Sequence, residues 1–206
     1  MVHEKLHGEE EMTLPEKPPA LAIGDKAPSF QGLLGVDGKV YSLASFDDKK
    51  VLIIIFMANR CTTNLAYTER IEAIQSDYGG LGVQIVAINS DNPDLLPTES
   101  YPEMVRIAKE RGYSFPYLKD DDQTVAQDYG AILTLHAFLL DQDRRIRYRG
   151  RIDDSPRPAF MTTSDLRNAL DDVLAGRSVR VPETSPFGCA IDVFVSCPSC
   201  GSRLDL

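Results

Sequence analysis

Val51-Leu-Ile-Ile-Ile-Phe56 is apolar at every position and β-branched at four of its six residues. That is the pattern of a strand covered on both faces in a parallel sheet. Beyond it, Tyr67, Ile71, Ile74 and Tyr78 recur at helical spacing, and Gly79-Gly80 supplies a stop. Val83-Gln-Ile-Val-Ala-Ile-Asn89 then reads as a second strand. Strand, helix, strand implies a parallel pair joined by a right-handed crossover, with residues 51–56 as the central strand.

Upstream, short apolar segments between Phe30 and Leu43 flank Asp37-Gly38, a pair suited to a tight hairpin turn. Downstream, Ser100-Tyr-Pro-Glu103 has the form of a capping box opening a helix that ends at Gly112. Thr124 to Tyr129 predicts a shorter helix closed by Gly130. Ala137–Leu140 and Arg145–Arg149 flank a polar turn, and the second alternates apolar and basic residues, as an antiparallel edge does. Thr162-Thr-Ser-Asp165 can cap a last helix in which Leu166, Leu170, Val173 and Leu174 share a face. These boundaries give a flexible acidic arm at 1–20, a domain at 21–178, and an extension at 179–206 holding three of the four cysteines.

The 206-residue chain carries 31 acidic and 22 basic side chains, a net charge of −9 that disfavours nucleic acid and anionic lipid surfaces. Its longest apolar run, Val51 to Ala58, falls far short of the roughly 20 residues a membrane crossing needs. The first residues lack the basic start and apolar core of a secretory signal, so a cytoplasmic location is expected. Four cysteines are too few for a disulfide scaffold at this length, and read as catalytic, metal-binding or buried.

The element order is that of a thioredoxin-like α/β fold, a central mixed sheet flanked by helices, here with an N-terminal β-hairpin and a cysteine-bearing C-terminal tail. Gly24-Asp-Lys-Ala-Pro-Ser-Phe30, Val86-Ala-Ile-Asn-Ser90, Phe115-Pro-Tyr-Leu118, Tyr148-Arg-Gly-Arg-Ile-Asp-Asp154 and Pro182-Glu-Thr-Ser-Pro-Phe-Gly-Cys189 add a closer likeness. The chain resembles a bacterial branch of the thioredoxin-like redoxins, related to the alkyl hydroperoxide reductase and thiol-specific antioxidant group. That branch carries Cys-Asn-His-Cys-Pro after its central strand, where this chain reads Ala58-Asn59-Arg60-Cys61-Thr62. Ala58 therefore replaces the first cysteine, and a dithiol cycle cannot run within this motif. The family's Thr-Pro, with its cis proline facing the active cysteine, is Thr134-Leu135 here. A cis bond before Leu costs about 2.5–4 kcal/mol, so this substrate loop is expected to be trans and reshaped.

A lone cysteine at the second position of the motif is what peroxiredoxins use. With Asn59 as N-cap, Cys61 is expected in the first helical turn, where free N–H groups, the helix dipole and Arg60 favour a thiolate. Peroxide chemistry also needs a hydroxyl and a guanidinium, for which Thr62, Thr63 and, by resemblance, Arg149 or Arg151 are candidates. The catalytic set is taken as Cys61, Thr62 and Arg151. The plainer reading makes Cys61 a small buried hydrophobe, the arginines solvated edge charges and His136 a spectator.

Cys197-Pro-Ser-Cys200 suits either a reversible disulfide or half of a tetrahedral zinc site, and no second pair of ligands stands at knuckle spacing, so no metal site is assigned. In the redox reading Cys197 and Cys200 re-reduce Cys61, and Cys189 is packed or a resolving partner. Two functions follow. One is a thiol-dependent oxidoreductase acting on a peroxide or a protein disulfide, regenerated by a thiol reductant and needing no cofactor. The other is a thioredoxin-fold module that has lost catalysis and binds a partner or, through its tail, zinc.

Overall fold

The computed structural model describes residues 21–191 and the backbone of two short strands at 195–196 and 203–204. The acidic arm, 1–20, and the Cys197-Pro-Ser-Cys200 motif lie outside the described residues.

The central strand forms where its composition places it. β1 (Leu33–Gly35), β2 (Val40–Tyr41), β3 (Val51–Phe56), β4 (Val83–Asn89), β5 (Tyr117–Lys119), β6 (Ala137–Leu140) and β7 (Ile146–Gly150) make one mixed sheet in the order β2-β1-β5-β4-β3-β6-β7. β3 pairs in parallel with β4 from Val51↔Val83 to Phe56↔Ile88, and antiparallel with β6 from Leu52↔Leu140 to Ile55↔Ala137. Alternate side chains of β3 serve two cores. Val51, Ile53 and Ile55 pack with Tyr67, Ile71 and Ile74 of α1 (Thr62–Gly79) and with Leu166, Ala169 and Leu170 of α4 (Asp165–Leu174). Leu52, Ile54 and Phe56 pack with Val125, Ala126 and Tyr129 of α3 (Thr124–Tyr129) and with Phe30 and Phe46. Each of these six β3 side chains is essentially out of water, stabilising by roughly 1.5–3 kcal/mol.

Three local expectations need correcting. Cys61, and not Asn59, is the N-cap of α1, because the Asn59 side chain is engaged elsewhere. Ser100 is the N-cap of α2 (Tyr101–Arg111), but the capping box does not form; Glu103 pairs with Arg106 at 2.7 Å instead. β5 was not anticipated: three residues are too few to show a period, yet all three are buried and run parallel to β4.

The chain beyond α4 returns across the domain. Asp172 receives Arg177 at 2.9 Å and Arg180 at 3.0 Å, so the turn out of α4 is clamped. The Arg149 N–H then donates to Pro182 and the Thr184 N–H to Arg149, and Ala190 bridges Leu133 antiparallel. Further on, β8 (Val195–Ser196) and β9 (Arg203–Leu204) pair antiparallel.

Candidate functional site

β3 delivers the chain to Met57 through Cys61, and a buried polar network fixes this segment. Glu99 accepts from the N–H of Asn59 at 2.7 Å and of Arg60 at 2.9 Å, and from Asn89 Nδ2 at 2.8 Å. Asn59 donates through Nδ2 to the Thr98 carbonyl and accepts from the Tyr117 hydroxyl at 3.0 Å. Burial pushes the Tyr117 phenol well above its ordinary range, so it is a neutral donor. Glu99, Asn59 and Asn89 are all at most 4% exposed, and in such surroundings a satisfied network rigidifies its members.

From this anchor α1 begins. The Cys61 carbonyl accepts the Leu65 N–H at 3.2 Å, leaving the earlier N–H groups of the first turn without helical partners. Asn64 closes the junction by donating through Nδ2 to the Ala58 carbonyl at 2.9 Å. Cys61 is 2% exposed and sits at the positive end of an 18-residue helix.

Opposite it lies the 132–136 loop. The Leu135 N–H donates to Phe56 at 2.7 Å and the Phe56 N–H to His136 at 3.2 Å, so the loop is joined to the end of β3. The expectation for its backbone holds: no described peptide is cis. Leu135 has a φ of 61°, a left-handed conformation that costs a residue with a Cβ roughly 1–2 kcal/mol and that proline could not adopt. This turn buries Leu135 and places the Thr134 hydroxyl 3.4 Å from Cys61 Sγ.

The second sulfur arrives with the returning tail. Cys61 and Cys189 form a disulfide, with Cα atoms 6.1 Å apart across 128 residues of sequence. Thr134 binds both halves of the pair: its N–H donates to the Cys189 carbonyl at 2.8 Å, its Oγ1 accepts the Cys189 N–H at 3.0 Å, and the same Oγ1 lies 3.4 Å from Cys61 Sγ. A disulfide sulfur has no proton to give, so the hydroxyl is the donor to Cys61 Sγ. The approach requires Gly188, because a Cβ there would overlap the Thr134 carbonyl oxygen. Gly150 plays the same part for Thr184, whose Oγ1 also receives the Arg151 N–H at 3.0 Å. Phe187 packs edge-on against Tyr67 of α1, beside the sulfurs' helix.

The candidates named from the sequence are only partly brought together. Cys61, Cys189, Thr134 and the Leu135 turn converge. Thr62 is an exposed first residue of α1, and Thr134 supplies the hydroxyl at the sulfur. Arg151 is paired through Nε with Asp165 at 2.8 Å, and Arg149 with Glu183 at 2.6 Å, so both guanidiniums are engaged by carboxylates. His136 stacks on Phe138; burial, with the charge of Arg149, pushes its pKa down to about 4, so it is neutral at neutral pH. Glu99, Tyr117 and Gly188 went unnoticed in the sequence. Gly188 and Tyr117 lie inside the family-like segments Pro182–Cys189 and Phe115–Leu118, whereas nothing local marked Glu99. Among the described residues no group of three or more His, Cys, Asp or Glu could hold a metal ion, and no helix is long and apolar enough to cross a membrane.

Comparison with known proteins agrees with this geometry. Residues 22–170 match the Redoxin family model. A hypothetical protein from Sinorhizobium meliloti 1021 is 37% identical, with a TM-score of 0.78 over 84% of this chain and 96% of its own. A conserved protein from Geobacillus kaustophilus is 35% identical, with a TM-score of 0.78 over 84% and 93%. The thiol-disulfide oxidoreductase ResA of Geobacillus thermodenitrificans (strain NG80-2) is 25% identical over 130 residues, 62% of this chain and 68% of its own. With a thioredoxin-like sheet, a cysteine capping its first long helix and a family match across the domain, the chain belongs to the redoxin family.

Proposed function

We propose that this chain is a thiol–disulfide oxidoreductase whose working unit is the Cys61–Cys189 pair, reduced by a thiol donor and reoxidised by a disulfide substrate. The observation that carries the reading is Thr134, whose one hydroxyl accepts from the Cys189 backbone and donates to the Cys61 sulfur. A hydrogen bond to a sulfur that becomes an anion on reduction strengthens as the charge develops, and the N-terminus of α1 acts in the same sense. The tail thus restores, from 128 residues away, the second thiol that Ala58 removed from the motif. The relative named a thiol-disulfide oxidoreductase supports the same reaction class. A disulfide is favoured over a peroxide as substrate because the two guanidiniums that could polarise a peroxide are neutralised by Asp165 and Glu183.

The test is turnover of a disulfide-bonded peptide with dithiothreitol as donor. Wild type is expected to accelerate reduction, while Cys61→Ser and Cys189→Ser each lose the acceleration; equal turnover by all three would end the proposal. Thr134 is a positioning residue in this scheme. Thr134→Val is expected to slow turnover by roughly tenfold, the worth of one hydrogen bond to a charged group. It should also move the pH midpoint of Cys61 alkylation upward, and Thr134→Ser should restore both. Cys197 and Cys200 remain candidates for an internal donor that re-reduces Cys61; peptide mapping of partially oxidised protein would show this as a link from either of them to Cys61 or to its partner Cys189.

A further inference from the structure

The pairing of a buried sulfur with a more accessible one decides which of them meets the outside. Resting on the function just proposed, we infer that Cys189, and not Cys61, is the sulfur through which this protein exchanges with its partners, and that Cys61 is the internal leaving group and resolving thiol.

Three independent features point the same way. The first is access: Cys61 is 2% exposed with the Thr134 hydroxyl against its sulfur, whereas Cys189 is partly exposed and is followed by the exposed Ala190. The segment around it lies along residues 132–134, where Ile132 is 66% exposed. The second is where negative charge can be held. Thiol–disulfide exchange breaks towards the sulfur that leaves more readily as an anion. Only Cys61 has the helix N-terminus behind it and a hydroxyl proton, that of Thr134, directed at its sulfur. The third is mobility. Cys61 belongs to a segment whose N–H groups are bound by the buried Glu99 carboxylate, so it cannot swing outward to form a bond with a protein partner. Cys189 sits on a tail that joins the domain through isolated bridges and side-chain contacts rather than through a strand ladder, and its two bonds to Thr134 keep it beside Cys61 when the disulfide opens.

The reaction balances as follows. A thiolate of an external dithiol donor attacks Cys189 Sγ; the new bond joins donor and Cys189, and the electron pair of the broken S–S bond leaves on Cys61 as a thiolate. The donor's second thiolate attacks the donor sulfur of this mixed disulfide, closing the donor's own disulfide and expelling Cys189 as a thiolate, which takes a proton from water. Two electrons have passed from the donor to the protein pair. A substrate disulfide runs the steps in reverse: Cys189 attacks first, and Cys61 resolves the mixed disulfide by attacking Cys189. The roles are thereby the opposite of those assigned when the helix-capping cysteine is taken as the attacking one.

Oxidised full-length protein is treated briefly with reduced glutathione, quenched in acid, capped with N-ethylmaleimide and mapped by tandem mass spectrometry. Glutathione is expected on Cys189, with maleimide on Cys61, in at least tenfold excess over the opposite arrangement. Glutathione mainly on Cys61 would overturn the inference while leaving the proposed reaction in place. A Cys61–Cys189 disulfide that yields no adduct at either sulfur under excess thiol would remove the reaction itself. A second arm uses reduced single variants with oxidised glutathione. Cys61→Ser, which retains Cys189, should form its adduct at least tenfold faster than Cys189→Ser does at Cys61; comparable rates would count against the assignment.

Discussion

The two sulfurs of the site belong to regions built in different ways. Cys61 follows a six-residue strand paired along its whole length with β4 and over Leu52–Ile55 with β6, and the segment between strand and sulfur is bound by a buried carboxylate. Cys189 lies on a tail held to the domain by isolated bridges at Glu183 and Ala190, close approaches at Gly150 and Gly188, hydrogen bonds to Arg149 and Thr134, and a pair of arginines on Asp172 of α4. Local opening free energies follow such differences in buried contact and pairing. A redox pair needs one sulfur held where a charge is tolerated and another that can be reached. The contrast between ladder and strap provides both.

The largest effect on that contrast should come from cutting the link. A bond closing a loop of this length restricts the unfolded chain, so Cys189→Ser or full reduction is expected to lower stability by about 4 kcal/mol. Urea titration with and without a reductant measures this, and coincident midpoints would show that the tail's other contacts dominate. Next, Gly188→Ala forces a Cβ against the Thr134 carbonyl, an overpacking worth about 1–3 kcal/mol. The fraction of Cys61–Cys189 disulfide in a dithiothreitol redox titration should fall, and an unchanged titration would mean that the strand can shift without moving the sulfur.

His136 sharpens the comparison at the hinge between the two regions. Its folded pKa of about 4 lies below the ordinary 6.5, so the unfolded chain binds the proton that the folded one refuses. This contribution is therefore present above about pH 6.5 and is lost as pH falls from there to about 4, on the order of 3 kcal/mol in all. Thermal melts at pH 7 and 4.5 should show a smaller acid loss in His136→Phe than in wild type, and equal losses would assign the effect elsewhere. The smallest change is expected from Asp172→Asn. Arg180 and Arg177 hold this carboxyl at about pKa 2, so the clamp persists into acid. Its removal should reduce disulfide formation less than Gly188→Ala does, and a larger reduction would make the clamp the principal anchor of the tail.

Much of the fold was legible because long elements repeat. Residues 51–56, the helix through Tyr67, Ile71 and Ile74, and the hairpin after Ala137 all appear where their periods place them. β5 was missed because three buried residues have no period, and the Asn59 cap was misplaced because Tyr117 and Thr98, distant in sequence, bind that side chain more completely than a helix end could. In the site, Cys61 and the Thr134-Leu135 loop were visible as departures from a family pattern. The alternatives for Cys189 stayed open, since nothing in a sequence measures the distance between two thiols.

Composition and periodicity alone therefore determined the central strand, its parallel neighbour and the helix that joins them, because burial and hydrogen bonding within a short segment are local requirements. Tertiary structure decided which cysteine the Cys61 sulfur meets, which hydroxyl serves it and which arginines are unavailable to it. Those outcomes depend on a few ångströms between residues 14 to 128 positions apart, and on a leucine at positive φ that no local preference would select.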